Sequence, residues 1–565
     1  HHGRYYHVYE MAADGSDLRQ LTDGPYDDFS PRYMPDGRIL FISTRRGGWH
    51  RCGSPGCENY VLTVMNADGS EPRPISFHET QEWDPAILND GRIIYTRWDY
   101  VDRFAVLYQQ LWSVFPDGSQ PSILYGNTTL NPVGVWEAKA IPGSKRIMAT
   151  AAAHHAMTAG SIIIVDVSDG IDGLEPLTRL TPDAPFPESE TTVSANWHLA
   201  ADNAPYETPE NTRWPGHCYR SPHPLSETYF IASHSYDGLV GEPNANRANM
   251  FGIYLCDAFG NRELLYRDLN IASVWAAPLR ERPVPPAVPS ALEQVASAED
   301  GFVIMQNVND ADPALDRPVK ALRVIQVLPK STPGIDQPPV GLPRGAPGKQ
   351  VLGTVPVEAD GSAYLRVPAG VPLSFQALDE RGMAVQVMRS LTYLQPGETI
   401  TCVGCHEPRT DAPPGRAVAA LSRAPSTIQP APEGSKPFSY PRLVQPVLDQ
   451  HCIACHSTDD PQCEVDLTSR PEGPYTASYQ ALAPRVPYSD QGMIDPLSQP
   501  GQFGARGSSL TKLLLDGHHN VDLPADDLER LITWMDTNAL FYGTFDPADQ
   551  ERQRRGELIA GPALQ

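Results

Sequence analysis

Asp-Gly pairs recur about every 50 residues through the first half of the sequence. A second series of Asp-Gly pairs alternates with the first, and each of its members precedes a run rich in β-branched and aromatic residues. Asp-Gly favours a tight turn, and the run after it favours a strand. Unrelated hairpins that only shared turn residues would not keep two series in phase, so the spacing predicts the blades of a β-propeller. The first series lies at Asp14, Asp68, Asp117 and Asp169, and the second at Asp36, Asp90 and Asp300.

The chain of 565 residues divides into four stretches of different character. Residues 1–318 are expected to form a propeller of about six blades, with five or seven as alternatives, and a Pro-rich insertion at about 181–226. Residues 319–409 alternate as the strands of a β-rich module do. Residues 410–436 are rich in Pro and Ala and predict a linker. Residues 437–565 predict an α-helical domain, so the whole chain is expected to be mainly β with helices at its C-terminal end.

The sequence carries a net charge of -24. This acidic surplus argues against nucleic acid or an anionic membrane as the main partner, and it suits docking of a basic protein. The longest apolar runs, such as Ile162 to Val165, are far too short to cross a bilayer. We therefore expect no membrane span.

Two Cys-x-x-Cys-His motifs follow the propeller region. In this motif two thiols add to the vinyl groups of a porphyrin, and the His is placed under the iron as its axial ligand. A zinc site is the weaker reading, because 46 residues separate the pairs and zinc gives no reason for a His after each. A thioredoxin-like redox pair would need a βαβ context that is absent from the sequence. The motifs, which predict two covalently bound haem c groups, are Cys402-Val-Gly-Cys405-His406 and Cys452-Ile-Ala-Cys455-His456.

Haem of the c type is attached outside the cytoplasm, so we expect a periplasmic or other extracytoplasmic protein whose export signal is not part of this sequence. Cys52 and Cys57 enclose a tight Gly/Pro loop in which a local disulfide would fit an oxidising compartment. The remaining cysteines are odd in number, so at least one is expected to be a free thiol or a metal ligand. They are Cys218, Cys256 and Cys463.

The second haem needs an axial ligand opposite His456. The segment before the last apolar helix contains His518 and His519 but no Met, so His518 is the first candidate and His519 its alternative. Met493 is an alternative ligand. The simplest interpretation of His518 and His519 is that they are two surface histidines in a loop that bind no metal. Two imidazoles would give a six-coordinate, low-spin iron suited to electron transfer.

No comparable donor follows the first motif, so the iron on His406 is expected to have an open side or to face the propeller. Several propeller segments carry histidines that together could form a polar pocket above this haem. Taken alone, each is more simply interpreted as a buried histidine whose ring forms hydrogen bonds with backbone groups. The strongest candidates for the pocket are His154, His155 and His217, with His50 and His78 on neighbouring segments.

Four segments make the sequence similar to the hydrazine synthase alpha subunit and related propeller cytochromes. The resemblance implies a six-bladed propeller, a middle domain with a catalytic type of haem and a C-terminal domain with a bis-His haem. It supports His518 or His519 as an iron ligand. The segments are YHVYEMAADGS with DDFSPRYMPDGRILFISTR, VLGTVPVEADGSAYLRVPAG, FQALDERGMAVQVMRSLTYLQPGETITCVGCHEPR and HHNVDLPADDLERLITWMDTNALFYG.

The sequence departs from this family at the middle haem. In the family, a Tyr four residues after the motif His ligates iron, while that His and a Cys help to hold zinc. The fourth residue after His406 is Thr410, a poor iron ligand, so we expect His406 to bind iron in the ordinary way. Cys218 is the cysteine that could serve as a zinc ligand. Zinc and calcium are the less favoured candidates for an additional metal.

Two functions fit the sequence. The first is a haem-dependent oxidoreductase, in which the middle haem binds a small substrate and the second relays electrons to a redox partner or to additional haem subunits. The second is a non-catalytic electron-transfer or scaffold cytochrome that uses its propeller as a docking platform. The size of the propeller favours the oxidoreductase, and the coordination of the first haem distinguishes the two.

Overall fold

The structure is a computed structural model, and strands dominate it, as the sequence predicted. The structure describes residues 4–561 except 53–55, 155–157, 185, 188–216, 239–245, 291, 293–297, 406–414, 458–463 and 493–496. No helix within these ranges is long and apolar enough to cross a membrane.

The first half of the chain forms a short hairpin followed by four antiparallel units of four strands each. The second, third and fourth units are joined into one sheet by single backbone pairings. The hairpin consists of β1 (Tyr9–Glu10) and β2 (Arg19–Gln20). The first unit contains β3 (Asp28–Tyr33), β4 (Ile39–Ser43), β5 (Val61–Met65) and β6 (Arg73–Pro74). The second contains β7 (Glu82–Ile87), β8 (Ile93–Trp98), β9 (Gln109–Val114) and β10 (Ser122–Tyr125).

The third and fourth units repeat this meander, and their strands pack apolar side chains between neighbouring units. The third contains β11 (Gly134–Ala140), β12 (Ile147–Ala152), β13 (Gly160–Val165) and β14 (Leu177–Arg179). The fourth contains β15 (Cys218–Pro224), β16 (Tyr229–Ser235), β17 (Gly252–Asp257) and β18 (Arg262–Tyr266).

The Asp-Gly turns have the local structure that the sequence predicts. In the turns at Asp14, Asp68 and Asp117, the Oδ1 atom accepts the backbone N–H of the Ser two positions on, at 2.9, 2.9 and 3.0 Å. The Gly after each Asp has a φ between 86° and 90°, which a residue with a Cβ rarely adopts. Turn chemistry therefore explains why this pair recurs at the hairpin ends.

Two turns of the series differ from the expectation. In the fourth repeat Asp166, rather than Asp169, accepts the backbone N–H of Ser168, at 3.1 Å. Asp300 was grouped with the propeller turns, but the strand that begins there pairs with strands of the middle module. A turn motif specifies the local bend and leaves the choice of strand partner to the tertiary structure, so the strand pairing of the middle module begins before residue 318.

The middle module consists of a three-stranded and a four-stranded sheet around one apolar core. The described part of the Pro/Ala-rich segment lies along it, because the backbones of Thr354 and Gln429 exchange two hydrogen bonds of 2.9 Å. The smaller sheet contains β19 (Asp300–Met305), β22 (Ala363–Pro368) and β25 (Thr399–Cys402). The larger contains β20 (Ala321–Leu328), β21 (Gly348–Pro356), β23 (Leu373–Leu378) and β24 (Ala384–Val387).

The C-terminal part contains short helices packed around an aromatic core. Within it, Trp534 and Tyr440 are fully buried against each other, with ring centroids 5.2 Å apart. The helices are α1 (Tyr440–Leu443), α2 (Gln445–His451), α3 (Ala477–Leu482), α4 (Gly504–Gly507), α5 (Ser509–Asp516), α6 (Ala525–Asp536) and α7 (Pro547–Arg554). A short hairpin of β26 (Pro471–Glu472) and β27 (Tyr475–Thr476) lies between them.

Asp102 lies where the three parts of the chain meet. Its carboxylate accepts hydrogen bonds from Lys349 Nζ of the middle module and from Asn538 Nδ2 of the C-terminal part. Its backbone carbonyl accepts a hydrogen bond of 2.6 Å from the Ser489 hydroxyl. One residue of the first half of the chain thereby joins both other parts of the protein.

Asp536 at the end of α6 connects the C-terminal part to the middle module. Its buried carboxylate accepts a hydrogen bond of 3.0 Å from Arg323 Nη1 and bonds of 2.9 Å from the backbone N–H groups of Ala384 and Ala505. Burial raises the pKa of this carboxyl group, although the Arg323 guanidinium acts to lower it.

Replacing Asp536 by Ala should lower the free energy of unfolding by about 3–5 kcal/mol, because the guanidinium of Arg323 would stay buried without its carboxylate. Urea unfolding followed by circular dichroism measures the loss. Asp526→Ala is the matched control, since Asp526 lies exposed in the first turn of the same helix, where the helix dipole contributes less than about 1 kcal/mol. Equal losses in the two variants would contradict the role of the buried pair.

Candidate functional sites

The second Cys-x-x-Cys-His motif continues the chain beyond α2. The N–H of Cys452 donates to the Leu448 carbonyl at 2.8 Å, and the N–H of His456 donates to the Cys452 carbonyl at 3.0 Å. These bonds make the motif a compact turn at the end of the helix. Cys452 is half-buried against the C-terminal core, whereas Cys455 is exposed. The two thiols are therefore presented at the edge of the helical core.

The ring of His456 is oriented by a backbone carbonyl. Its Nδ1 atom lies 3.2 Å from the carbonyl oxygen of Val465, a distance at which the Nδ1–H donates a hydrogen bond. This bond fixes the tautomer, so the lone pair is on Nε2. A metal-binding His commonly has its other ring nitrogen held in this way. His456 therefore has the arrangement of an axial ligand.

His518 faces His456 across a narrow gap. The two ring centroids are 5.9 Å apart and the ring planes differ by 28°. Two imidazoles on opposite sides of one metal ion, each with a metal–nitrogen bond of about 2.0–2.1 Å, have centroids on the order of 6 Å apart. The pair therefore fits an iron held between two histidines.

The end of α5 determines which histidine faces the motif. Gly517 follows the helix with a φ of 94°, and His519 has a φ of 48°, so the chain turns sharply here. The ring of His519 packs edge-on against His518, with centroids 4.6 Å apart. Burial lowers the pKa of His518, and the neighbouring His519 and His456 lower it further. The neutral form of His518, which is the metal-binding form, is thereby favoured.

The first motif begins at the end of β25 in the middle module. Cys402 and Cys405 are both half-buried beside a core of middle-module residues. A Cβ on Gly404 would lie 1.9 Å from the carbonyl oxygen of Asp310, so a residue without a side chain is required between the two cysteines. His406 and Thr410 lie outside the described residues, as do Met493 and Cys463.

The structure describes the surroundings of two of the three histidines expected to form a pocket over the first motif. His154 is buried just after β12, and His155 lies outside the described residues. His217 is half-buried, with Nε2 3.3 Å from an Asp183 carboxylate oxygen and its ring 6.0 Å from that of His234. The apolar cluster beside Cys402 and Cys405 is formed by described residues of the middle module and the segment after it. A pocket formed by these histidines over the first motif stays a prediction.

Cys218 lies in a small apolar core with Ala159, Met250 and Phe251. Burial raises the pKa of this thiol to about 12, which disfavours the thiolate that a metal requires. Among the residues that the structure describes, no group of three or more His, Cys, Asp and Glu side chains could hold a metal ion. The expected role of Cys218 as a zinc ligand therefore gains no support from its surroundings.

Cys52 and Cys57, for which a disulfide was expected, are not joined to each other in the structure. Cys57 Sγ forms a hydrogen bond of 3.0 Å with the Tyr60 hydroxyl, and Cys52 packs beside the cluster of Trp98 and Tyr100. The two cysteines therefore lie against different neighbours.

Sequence reasoning missed the contribution of Val465. The carbonyl that orients His456 belongs to the backbone, and backbone groups leave no mark in the residue types. Val465 lies nine positions after His456, and only the structure shows that its carbonyl reaches the His456 ring.

Comparison with known proteins supports the resemblance. The sequence model of a family described as the hydrazine synthase alpha subunit middle domain matches residues 318–407. Hydrazine synthase subunit alpha of Kuenenia stuttgartiensis is 24% identical over 444 residues, which cover 69% of this chain and 42% of that protein. The chain thus spans less than half of the length of this curated relative.

The structure of Kuenenia stuttgartiensis hydrazine synthase matches with a TM-score of 0.70 and 17% identity. The match covers 99% of this chain and 86% of the other. At this identity the likeness shows the fold. The resemblance inferred from the sequence is thereby confirmed: residues 318–407 match the model of the hydrazine synthase alpha subunit middle domain, and the chain shares the general fold of hydrazine synthase along almost its whole length.

Proposed function

We propose that this chain is a dihaem c-type cytochrome subunit of an extracytoplasmic oxidoreductase similar to hydrazine synthase. The observation that carries the proposal is the facing pair of His456 and His518, 5.9 Å apart, beside the thiols of Cys452 and Cys455. Paired imidazoles next to two cysteines form the ligand set of a covalently attached, six-coordinate haem.

In the C-terminal part, each residue has a distinct task. The thiols of Cys452 and Cys455 would attach a haem, the Nε2 atom of His456 would bind its iron, and the Val465 carbonyl holds the ring of His456 in place. His518 would be the second protein ligand, so this site would have no place for a substrate. The role that follows for this site is electron relay.

In the middle module, Cys402, Cys405 and His406 form the other haem attachment site. We assign substrate binding to this site, with His154, His155 and His217 as pocket residues contributed by the propeller. A c-type haem at this motif supplies an iron that binds small ligands when one axial position is open. The propeller would then exclude water from the open side, and its histidines would donate or accept protons at the substrate.

The architecture proposed with this function has three parts. A propeller of about six blades is followed by the middle module, a segment that packs along it, and a cytochrome c-like domain over residues 437–565. The partners are a redox protein or additional haem subunits, together with a small molecule as substrate. The name of the curated relative, hydrazine synthase subunit alpha, supports dependence on other subunits.

Binding of carbon monoxide tests whether one haem site binds substrate while the other only relays electrons. Added to the reduced protein, it should change the absorption spectrum of one haem of the two, because His518 blocks the second iron. The variant His518→Ala is the matched control, and both of its haems should respond to carbon monoxide. If neither haem of the unaltered protein responds to carbon monoxide, cyanide or nitric oxide, the proposed substrate site is wrong.

A further inference from the structure

The two segments that carry the facing histidines are also joined by a hydrogen bond outside the ligand pair. His451 is the last residue of α2 and directly precedes the motif that ends in His456. Asp527 lies in the first turn of α6, shortly after the loop that carries His518. The Nε2 atom of His451 lies 2.9 Å from Oδ2 of Asp527. A carboxylate has no proton to give, so the Nε2–H of His451 donates this bond.

The His451–Asp527 pair is sheltered from water and well oriented. The two side chains are 15% and 13% exposed. Arg530, one turn further along α6, holds the other carboxylate oxygen, with Nη1 3.1 Å from Oδ1 of Asp527. Oδ2 is thereby directed at α2. A hydrogen bond to a charged acceptor is stronger in such a place than at an open surface.

The segment that carries His518 is packed more lightly than the core beside it. The buried residue of α5, the helix before it, is Thr511. In α6, the helix after it, the buried residues begin at Leu531. Between them Leu523 and Leu528 are only partly buried against the core. The His451–Asp527 pair therefore fixes α6 at its less packed end, next to the His518 loop.

In the proposed cytochrome, His456 and His518 bind one iron and so form a second link between the same two segments. Two links between the same segments support each other, because each one keeps the ends of the other close together. The His451–Asp527 bond thereby raises the effective concentration of the His518 ring at the iron. The support is reciprocal, so ligation by His518 also strengthens the bond between His451 and Asp527.

We propose that His451 and Asp527 are positioning residues that keep His518 on the iron of the C-terminal haem. This inference rests on the proposed function, since it gives a task to residues around the His456–His518 pair. The two residues act through the segments that they join and not through a bond to iron. Their effect is to keep this haem six-coordinate, so that small ligands are excluded from it and it serves electron relay.

Cyanide titration of the oxidised protein, followed by electronic absorption and electron paramagnetic resonance, tests the proposal. The middle haem should bind cyanide first, and the C-terminal haem at higher concentration, since cyanide has to displace His518 there. In His451→Ala and in Asp527→Ala the cyanide concentration for half-displacement should fall roughly tenfold, the effect of losing one hydrogen bond to a charged group. The double variant should lose about as much as either single one, because both substitutions remove the same bond.

Two controls separate positioning from general damage. His451→Gln should keep the cyanide midpoint close to that of the unaltered protein, because the Gln amide can donate the bond to Asp527. Asp526→Ala should also leave it unchanged, since Asp526 is an exposed carboxylate in the same helical turn. A merely structural role would lower the stability of His451→Ala in urea without moving the cyanide midpoint.

The outcomes distinguish this inference from the proposed function. Absence of a low-spin haem in the unaltered protein would refute the bis-His assignment, and the positioning role with it. A low-spin haem whose cyanide midpoint stays the same in His451→Ala would overturn the positioning role alone. An equal fall of the midpoint in Asp526→Ala would do the same, because any lost charge near α6 would then suffice.

Discussion

The intact protein, produced in a host that matures c-type cytochromes, should have the mass of the polypeptide plus two haems. Thioether bonds survive denaturation, so the added mass should persist in acid and organic solvent, and a denaturing gel stained for haem peroxidase activity should show the band. The reason is the pair of complete motifs at Cys402–His406 and Cys452–His456. A mass equal to the bare polypeptide would refute the proposed cytochrome.

Removing one thiol should affect one haem. Cys455→Ala should leave the C-terminal haem weakly attached and the middle haem in place, because the two motifs lie on separate apolar cores. Cys405→Ala should have the opposite result. Cys57→Ser, a thiol in the first propeller unit, is the control and should retain both haems. Loss of both haems in either motif variant would show that the two sites depend on each other.

His518→Ala should convert the C-terminal haem from low spin to high spin while the haem stays attached. The ring of His518 faces His456 at 5.9 Å, so its removal takes away one axial nitrogen and leaves the thiols intact. Electronic absorption and electron paramagnetic resonance of the oxidised protein measure the change.

His519→Ala is the matched control, because its ring contacts His518 edge-on and would lose packing alone. The spectrum of this variant should stay low spin. A spectrum that changes in His519→Ala and not in His518→Ala would reverse the assignment of the two neighbours. An unchanged spectrum in both would make Met493 the next candidate and end the bis-His assignment.

The sequence predicts features that a few residues determine locally. The Asp-Gly pairs at Asp14 and Asp68 were correct as turns, because an Asp carboxylate and a Gly with positive φ are sufficient to form them. The two histidines after α5 could be nominated as ligands by their residue type. The mainly β composition followed from the same turns and the runs after them.

Features that depend on the tertiary structure could not be predicted in this way. The strand after Asp300 has the local pattern of a propeller strand, and its partners in the middle module decide where it belongs. Cys218 is next to His217 in sequence, yet its thiol is buried in an apolar core at the start of β15.

The contacts of Asp102 have a consequence for how the protein unfolds. Because one carboxylate receives hydrogen bonds from Lys349 and Asn538, and its carbonyl a third from Ser489, no one of the three parts can detach without breaking bonds held by the others. We therefore expect the three parts to lose their structure together, in a single transition, where independently stable domains on flexible tethers would melt in steps. The two haems of the proposed cytochrome would then keep a fixed separation for as long as the protein is folded.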